Sequence, residues 1–85
     1  SLRLQLLHQL LEGKVLVVNR EYHFVVISLG SKDAVTKGSR FGLFRNGKQI
    51  MTVEVDKLYD NMSAANMLEE EKKGSEVREG DTVRQ

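Results

Sequence analysis

Asn46-Gly47, set between "RFGLFR" and "KQIMTVEV", constrains the fold of this chain more than any other pair of residues. A two-residue hairpin turn that keeps the natural strand twist needs positive φ at both central positions. Asn-Gly accepts that conformation most readily. In the segment that follows, Met51, Val53 and Val55 alternate with Thr52, Glu54 and Asp56. A strand with that alternation has one apolar face for a core and one polar face for water.

The same texture recurs upstream. "GKVLVVN" and "HFVVISLG" are dense in β-branched residues and are separated by Arg20, Glu21 and Tyr22. They predict a hairpin of Lys14–Asn19 with His23–Leu29. The polar Ser28 sets the phase, turning Val25, Ile27 and Leu29 inward and Phe24 and Val26 outward. In "RFGLFR", Phe41 and Leu43 point in, and Gly42 and Phe44 point out. Ser63–Glu70, "SAANMLEE", holds good helix formers, yet its shortness and its place after "YDN" favour a strand that closes the sheet. "VREGDTVR" is a turn into a last short strand. About six short strands therefore fall within residues 13–85, and the expected fold is mainly β, a small six-stranded β-barrel. The chain has no proline. Its corners are accordingly assigned to Gly13, Gly30, Asp33, Gly38, Asn46, Gly47, Gly80 and Asp81.

Residues 1–12 follow a different period. "SLRLQLLHQLLEG" predicts one N-terminal α-helix stopped by Gly13, preceding a barrel domain over residues 13–85. Leu4, Leu7 and Leu11 form one seam, and Leu2, Leu6 and Leu10 form a second row. Together the leucines span an arc of roughly 200°, about twice what a single seam needs. Two arrangements fit: a helix buried only in its own domain, or one packed on its barrel and on a partner helix. The second makes residues 1–12 the end of a coiled coil, with Leu4, Leu7 and Leu11 as self-association residues of a dimer or trimer. A seam of leucines alone does not choose between those two states. Leu16, Val18, Phe24, Val26 and Phe44 point outward in this phasing and need a cover. The helix supplies part of it, and Tyr22, Phe24, Val26 and Phe44 are the expected contacts for a protein partner. The chain opens inside the leucine pattern and reads as an excised piece, with room upstream for a membrane anchor.

The bulk properties narrow function mainly by exclusion. Eighty-five residues make one domain with a thin core, too small for a deep catalytic cleft. Thirteen basic and twelve acidic residues leave a net charge of +1, far from a nucleic-acid binder's signature. There is no cysteine, hence no disulfide or thiolate metal site. The runs "VLVV" and "FVVI" are too short to cross a bilayer, so direct membrane insertion by this piece is not expected. "LGSKDAVTKGSRF" has two glycines but neither phosphate-loop spacing. It reads as a barrel corner in which Val35 plugs the core and Asp33 accepts backbone hydrogen bonds. "V-x-x-G-x-x-F" there and "V-R-E-G-D-T-V" later look like one device used twice. His8 and His23 do not converge on a metal, and Glu69, Glu70 and Glu71 run into Lys72 and Lys73 as a solvated tip. Ser28 lacks a nucleophile elbow. The expectation is no enzyme, no cofactor and no metal. The alternative is a small nucleic-acid-binding β-barrel, using Lys32, Lys37, Arg40, Arg45 and Lys48 with Tyr22 and Phe44 as stacking rings. The balanced charge and the lack of an aromatic ladder weigh against it.

The stretch from "GKVLVVNREYHFVVISLGSKDAVTKGSRF" through "GLFRNGKQIMTVEVDKLYDNMSA", with "VREGDTV", resembles a small bacterial envelope β-barrel domain. It is similar to the C-terminal domain of flagellar assembly protein T and to the β-domains of the rod-shape-determining protein MreC. The shared pattern is G-x-V, a strand ending in "LG", S-x-D-G-V-x-x-G-x-x-F, a lysine-glycine turn, V-x-V, a serine-alanine strand and G-D-x-V. Two positions depart from it. Ala34 replaces the glycine of S-x-D-G-V, so that corner either avoids positive φ or carries strain. Met51 replaces the glycine that opens G-x-V-x-V. The resemblance implies a non-catalytic protein–protein interaction and assembly module of a coiled-coil envelope or scaffold protein. It implies partners among other envelope proteins, self-association, and a place on the periplasmic side of the bacterial cell envelope.

Overall fold

Six antiparallel strands close into a barrel in a computed structural model that describes residues 11–85. The strands are β1 (Glu12–Asn19), β2 (Phe24–Ile27), β3 (Arg40–Arg45), β4 (Lys48–Leu58), β5 (Ser63–Met67) and β6 (Thr82–Arg84). Around the ring they run β1-β2-β5-β4-β3-β6. The alternation of Val25/Ile27, Phe41/Leu43 and Met51/Val53/Val55 places all seven side chains in one core, with Val15, Leu29, Ala65, Met67 and Val83. Val35 and Val77 join that core from the loops before β3 and β6. Ser63–Met67 is a strand, so the apolar alternation of Ala65 and Met67 prevails over helix propensity there.

The register shows that the barrel is built twice. Val15 pairs with Ile27 and Val17 with Val26, leaving Leu16 as a bulge. Val55 pairs with Ala65 and Lys57 with Ala64, leaving Asp56 as the equivalent bulge. Gly13 pairs with Val83 as Val53 pairs with Phe41. The repeated corner matches bond for bond. Gly38 (φ 89°) donates to Val55 O at 2.8 Å, and Val55 N donates to Ser39 O at 2.8 Å. Gly80 (φ 90°) donates to Val15 O at 2.8 Å, and Val15 N donates to Asp81 O at 2.9 Å. Each half is thus a hairpin, a loop, a valine plug, a glycine corner and a third strand. The third strands, β3 and β6, pair with each other and with the other half's first strand, never with their own half.

Several expectations need correction. Residues 1–10 of the predicted helix, with Leu4 and Leu7, lie outside the described residues. Leu11 and Glu12 do not extend a helix: Glu12 opens β1 and Leu11 packs against the barrel core. Gly13 is no helix stop but a β1 residue, where a Cβ would run into the Leu29 and Ser28 side chains. Val18 does not point outward. The bulge at Leu16 resets the phase, so Val18 pairs with the inward Val25 and packs on the core. Asn46 and Gly47 take φ of 53° and 78°, as their turn requires.

Ala34 settles the open question at its corner, with φ 65° in the left-handed region. Asp33 Oδ2 accepts the Gly30 N–H at 3.0 Å, holding the turn that forces this conformation. Ala34 is exposed, so its cost is conformational. Ala34→Gly should raise stability by about 0.5–1 kcal/mol in urea unfolding, the left-handed penalty outweighing glycine's added entropy. Four residues earlier the sign reverses. A Cβ on Gly30 would collide with the carbonyl oxygens of Tyr59 and Asp60 and with the Met62 amide. Gly30→Ala should lower stability by roughly 3 kcal/mol, since only backbone can yield there.

Candidate interaction surface

The bulge at Leu16 decides what the outer wall presents. Without it Leu16 alone would face outward between Val15 and Val17. With it Leu16 and Val17 both face water, 45% and 46% exposed. Val17 lies beside Val26 of β2, and Val26 beside Ala64 of β5, so one apolar row crosses three neighbouring strands. Phe24, half-buried, flanks that row on β2. Tyr22, in the turn between β1 and β2, is 70% exposed, its N–H held by Asn19 Oδ1 at 3.0 Å.

Of the four expected partner contacts, Tyr22, Phe24 and Val26 share this β1–β2 region. Phe44 does not. In the ring order β2 and β3 stand on opposite walls, so the closed barrel separates Phe44 from Phe24 and Val26. Phe44 already has a cover: the Arg84 guanidinium lies over its ring, 4.2 Å from the centroid. It leans over Gly42, where a Cβ would meet its Cε1 at 2.7 Å. Leu11, one of the three expected self-association residues, is partly buried and packs against the barrel core.

The basic residues assigned to the alternative are partly neutralised. Arg40 Nε donates to Glu54 Oε1 at 2.9 Å on the outer wall. Arg45 makes a bidentate pair with Asp81, at 2.8 and 2.9 Å, and donates to Glu76 O at 2.6 Å. Asp81 Oδ2 also accepts the Arg78 N–H at 2.8 Å, the role that Ser39 Oγ fills for Thr36 N in the first half. Arg20 donates to the Val77 carbonyl and pairs with Glu71 at 3.2 Å, while Glu71 Oε2 accepts the Val77 N–H at 2.8 Å. The second valine plug is therefore framed by two ion pairs. The first, Val35, is tied by its N–H to Gly30 O. Sequence reasoning placed Arg45 among free cations and Asp81 only as a turn residue. Their separation by 36 positions hid the pair.

Among the described residues no three His, Asp or Glu side chains gather as a metal site, and no helix is long and apolar enough to cross a membrane. His23 sits at the end of the β1–β2 turn with φ 55°, and its carbonyl accepts the Met67 N–H at 2.8 Å. Gly38, Gly47, Gly74 and Gly80 line no cradle, as a Cβ on each would meet open space. Comparison with family models, curated proteins and solved structures finds no match to this chain.

Burial alone pushes the Asp81 carboxyl upward. The Arg45 hydrogen bonds, the Arg78 amide and the charges of both arginines outweigh it, and the carboxyl titrates below its ordinary range. A folded value below the unfolded one adds stability above about pH 4 and loses it as pH falls through the folded value. Unfolding followed from pH 7 to pH 2 should show this loss. Asp81→Asn should flatten the acid limb and lower stability at pH 7, where Arg45 loses its charged partner.

Proposed function

We propose that this chain is a non-catalytic protein–protein interaction and assembly module of a bacterial coiled-coil envelope or scaffold protein. The observation that carries this reading is the exposed pair Leu16 and Val17, continued by the half-buried Val26 and joined by an exposed Tyr22 in the β1–β2 turn, on a barrel whose core is already filled. Aliphatic side chains grouped in water on a folded domain suit a surface that becomes covered. The resemblance to envelope barrels points the same way and supplies the periplasmic setting and the other envelope proteins as partners. The N-terminal leucines supply the self-association, as a dimer or trimer, through Leu4, Leu7 and Leu11. No specific observation favours the nucleic-acid alternative, and two of its five cations, Arg40 and Arg45, are each paired with a carboxylate.

Light scattering over a wide concentration range tests self-association. The chain should run as a dimer or trimer, and Leu4→Glu with Leu7→Glu should convert it to a monomer with an unchanged β-sheet circular dichroism spectrum. A wild-type monomer at every concentration would refute self-association through the leucine segment.

A further inference from the structure

Leu16 and Val17 have a control within their own chain. Asp56 is the bulge equivalent to Leu16, and Lys57, beside Ala64, is equivalent to Val17 beside Val26. The same backbone in the second half is thus content with two charged side chains. The barrel does not require apolar residues at such a bulge, and the aliphatic pair in the first half answers to something outside it.

Strand addition cannot be what covers them, because the six strands form a closed ring with no free edge. The occupant must bring a side-chain face. Leu16, Val17 and Tyr22 are exposed and Phe24 and Val26 half-buried; side chains of these sizes together offer an area on the order of 350 Å². Two barrels meeting stripe to stripe would bury about 700 Å² in all, short of the roughly 1,200 Å² at which stable interfaces begin. Two copies that each lay an apolar segment on the other's stripe bury twice that, about 1,400 Å², within the standard range.

The chain carries such a segment. Leu2–Leu10 holds five leucines and one formal charge, Arg3. It joins the barrel at Leu11, which is packed on the core beside the start of β1. From there Leu16 lies roughly 16 Å farther along the strand. Glu12 is already paired with Arg84 and Gly13 with Val83, so to cover its own stripe the chain would have to reverse ahead of Glu12. A second copy needs no reversal.

We propose that the Leu16–Val17–Val26 stripe seats the leucine segment Leu2–Leu10 of a second copy of this chain, with the two copies exchanging segments reciprocally. This rests on the assembly reading above and specifies its contact as segment on barrel. The test is the double variant Leu16→Asp with Val17→Lys, which installs the residues of the equivalent bulge. Its dimer dissociation constant, from light scattering, should rise at least tenfold over wild type while the fold is kept. A dimer as tight as wild type overturns the proposal and leaves the leucine-to-leucine seam standing. A wild type that is monomeric throughout overturns both. Single-cysteine chains serve as the second measurement, should the double variant unfold. Isotope-labelled Val17→Cys is mixed with unlabelled Leu6→Cys under mild oxidation with oxidised glutathione. Mixed disulfides between the two chains should predominate. Predominance of the Leu6→Cys homodisulfide, or mixed disulfides no more frequent than chance, overturns the proposal.

Discussion

The structure depends on a strand of three residues. β6 closes the ring by pairing Thr82, Val83 and Arg84 with β1 on one side and β3 on the other. Without it both neighbours would present free N–H and C=O rows, and Val83 would leave the core. So short a strand holds its place because its approach is fixed in advance. The corner at Gly80 is bonded to Val15, the Asp81 carboxylate is locked to Arg45, and Val77 is buried just upstream. The equivalent corner at Gly38 feeds the longer β3, and there a serine hydroxyl suffices where the second half uses an ion pair.

Two-fold repetition separates what the barrel needs from what this chain adds. Valine plug, glycine corner, strand bulge and inward alternation appear in both halves, so they belong to the architecture. Features present in one half only lie outside that requirement. The aliphatic pair at the first bulge is one, and it faces out. The arginine-framed Val77 is another. It anchors a loop between β5 and β6 whose tip is rich in charge, where backbone bonding to a neighbouring turn is the main tie in the first half.

Much of the barrel was legible in the sequence. Asn46-Gly47 fixes its hairpin because few other pairs accept that turn. Ser28 fixes the phase of β2, and the repeated V-x-x-G pattern marks both corners. What escaped was whatever depends on register. "VLVV" is apolar throughout, so no alternation announces the bulge that turns Leu16 and Val17 out together and returns Val18 to the core. Phe24 and Phe44 look alike in their local patterns, and only ring closure assigns them to opposite walls. Arg45 and Asp81 sit in separate halves, and nothing local to either names the other. The leucine pattern of residues 1–12 suggests a helix running to its glycine, yet strand pairing claims Glu12 and Gly13. The candidate surface was thus legible in its residue types more than in its membership.

The interlocking of the two halves also orders events in time. β1 and β2 can meet early, but β3 emerges with neither of its neighbours yet made, since both belong to the later half. Its Phe41 and Leu43 stay exposed until β4 follows around the Asn46-Gly47 turn, and the ring stays open until β6 reaches back to β1 across nearly the whole sequence. A domain so wired has few stable resting points on the ribosome. Topologies dominated by such distant contacts fold more slowly than those built from local ones. During that interval its aliphatic runs lie open to other chains at work nearby.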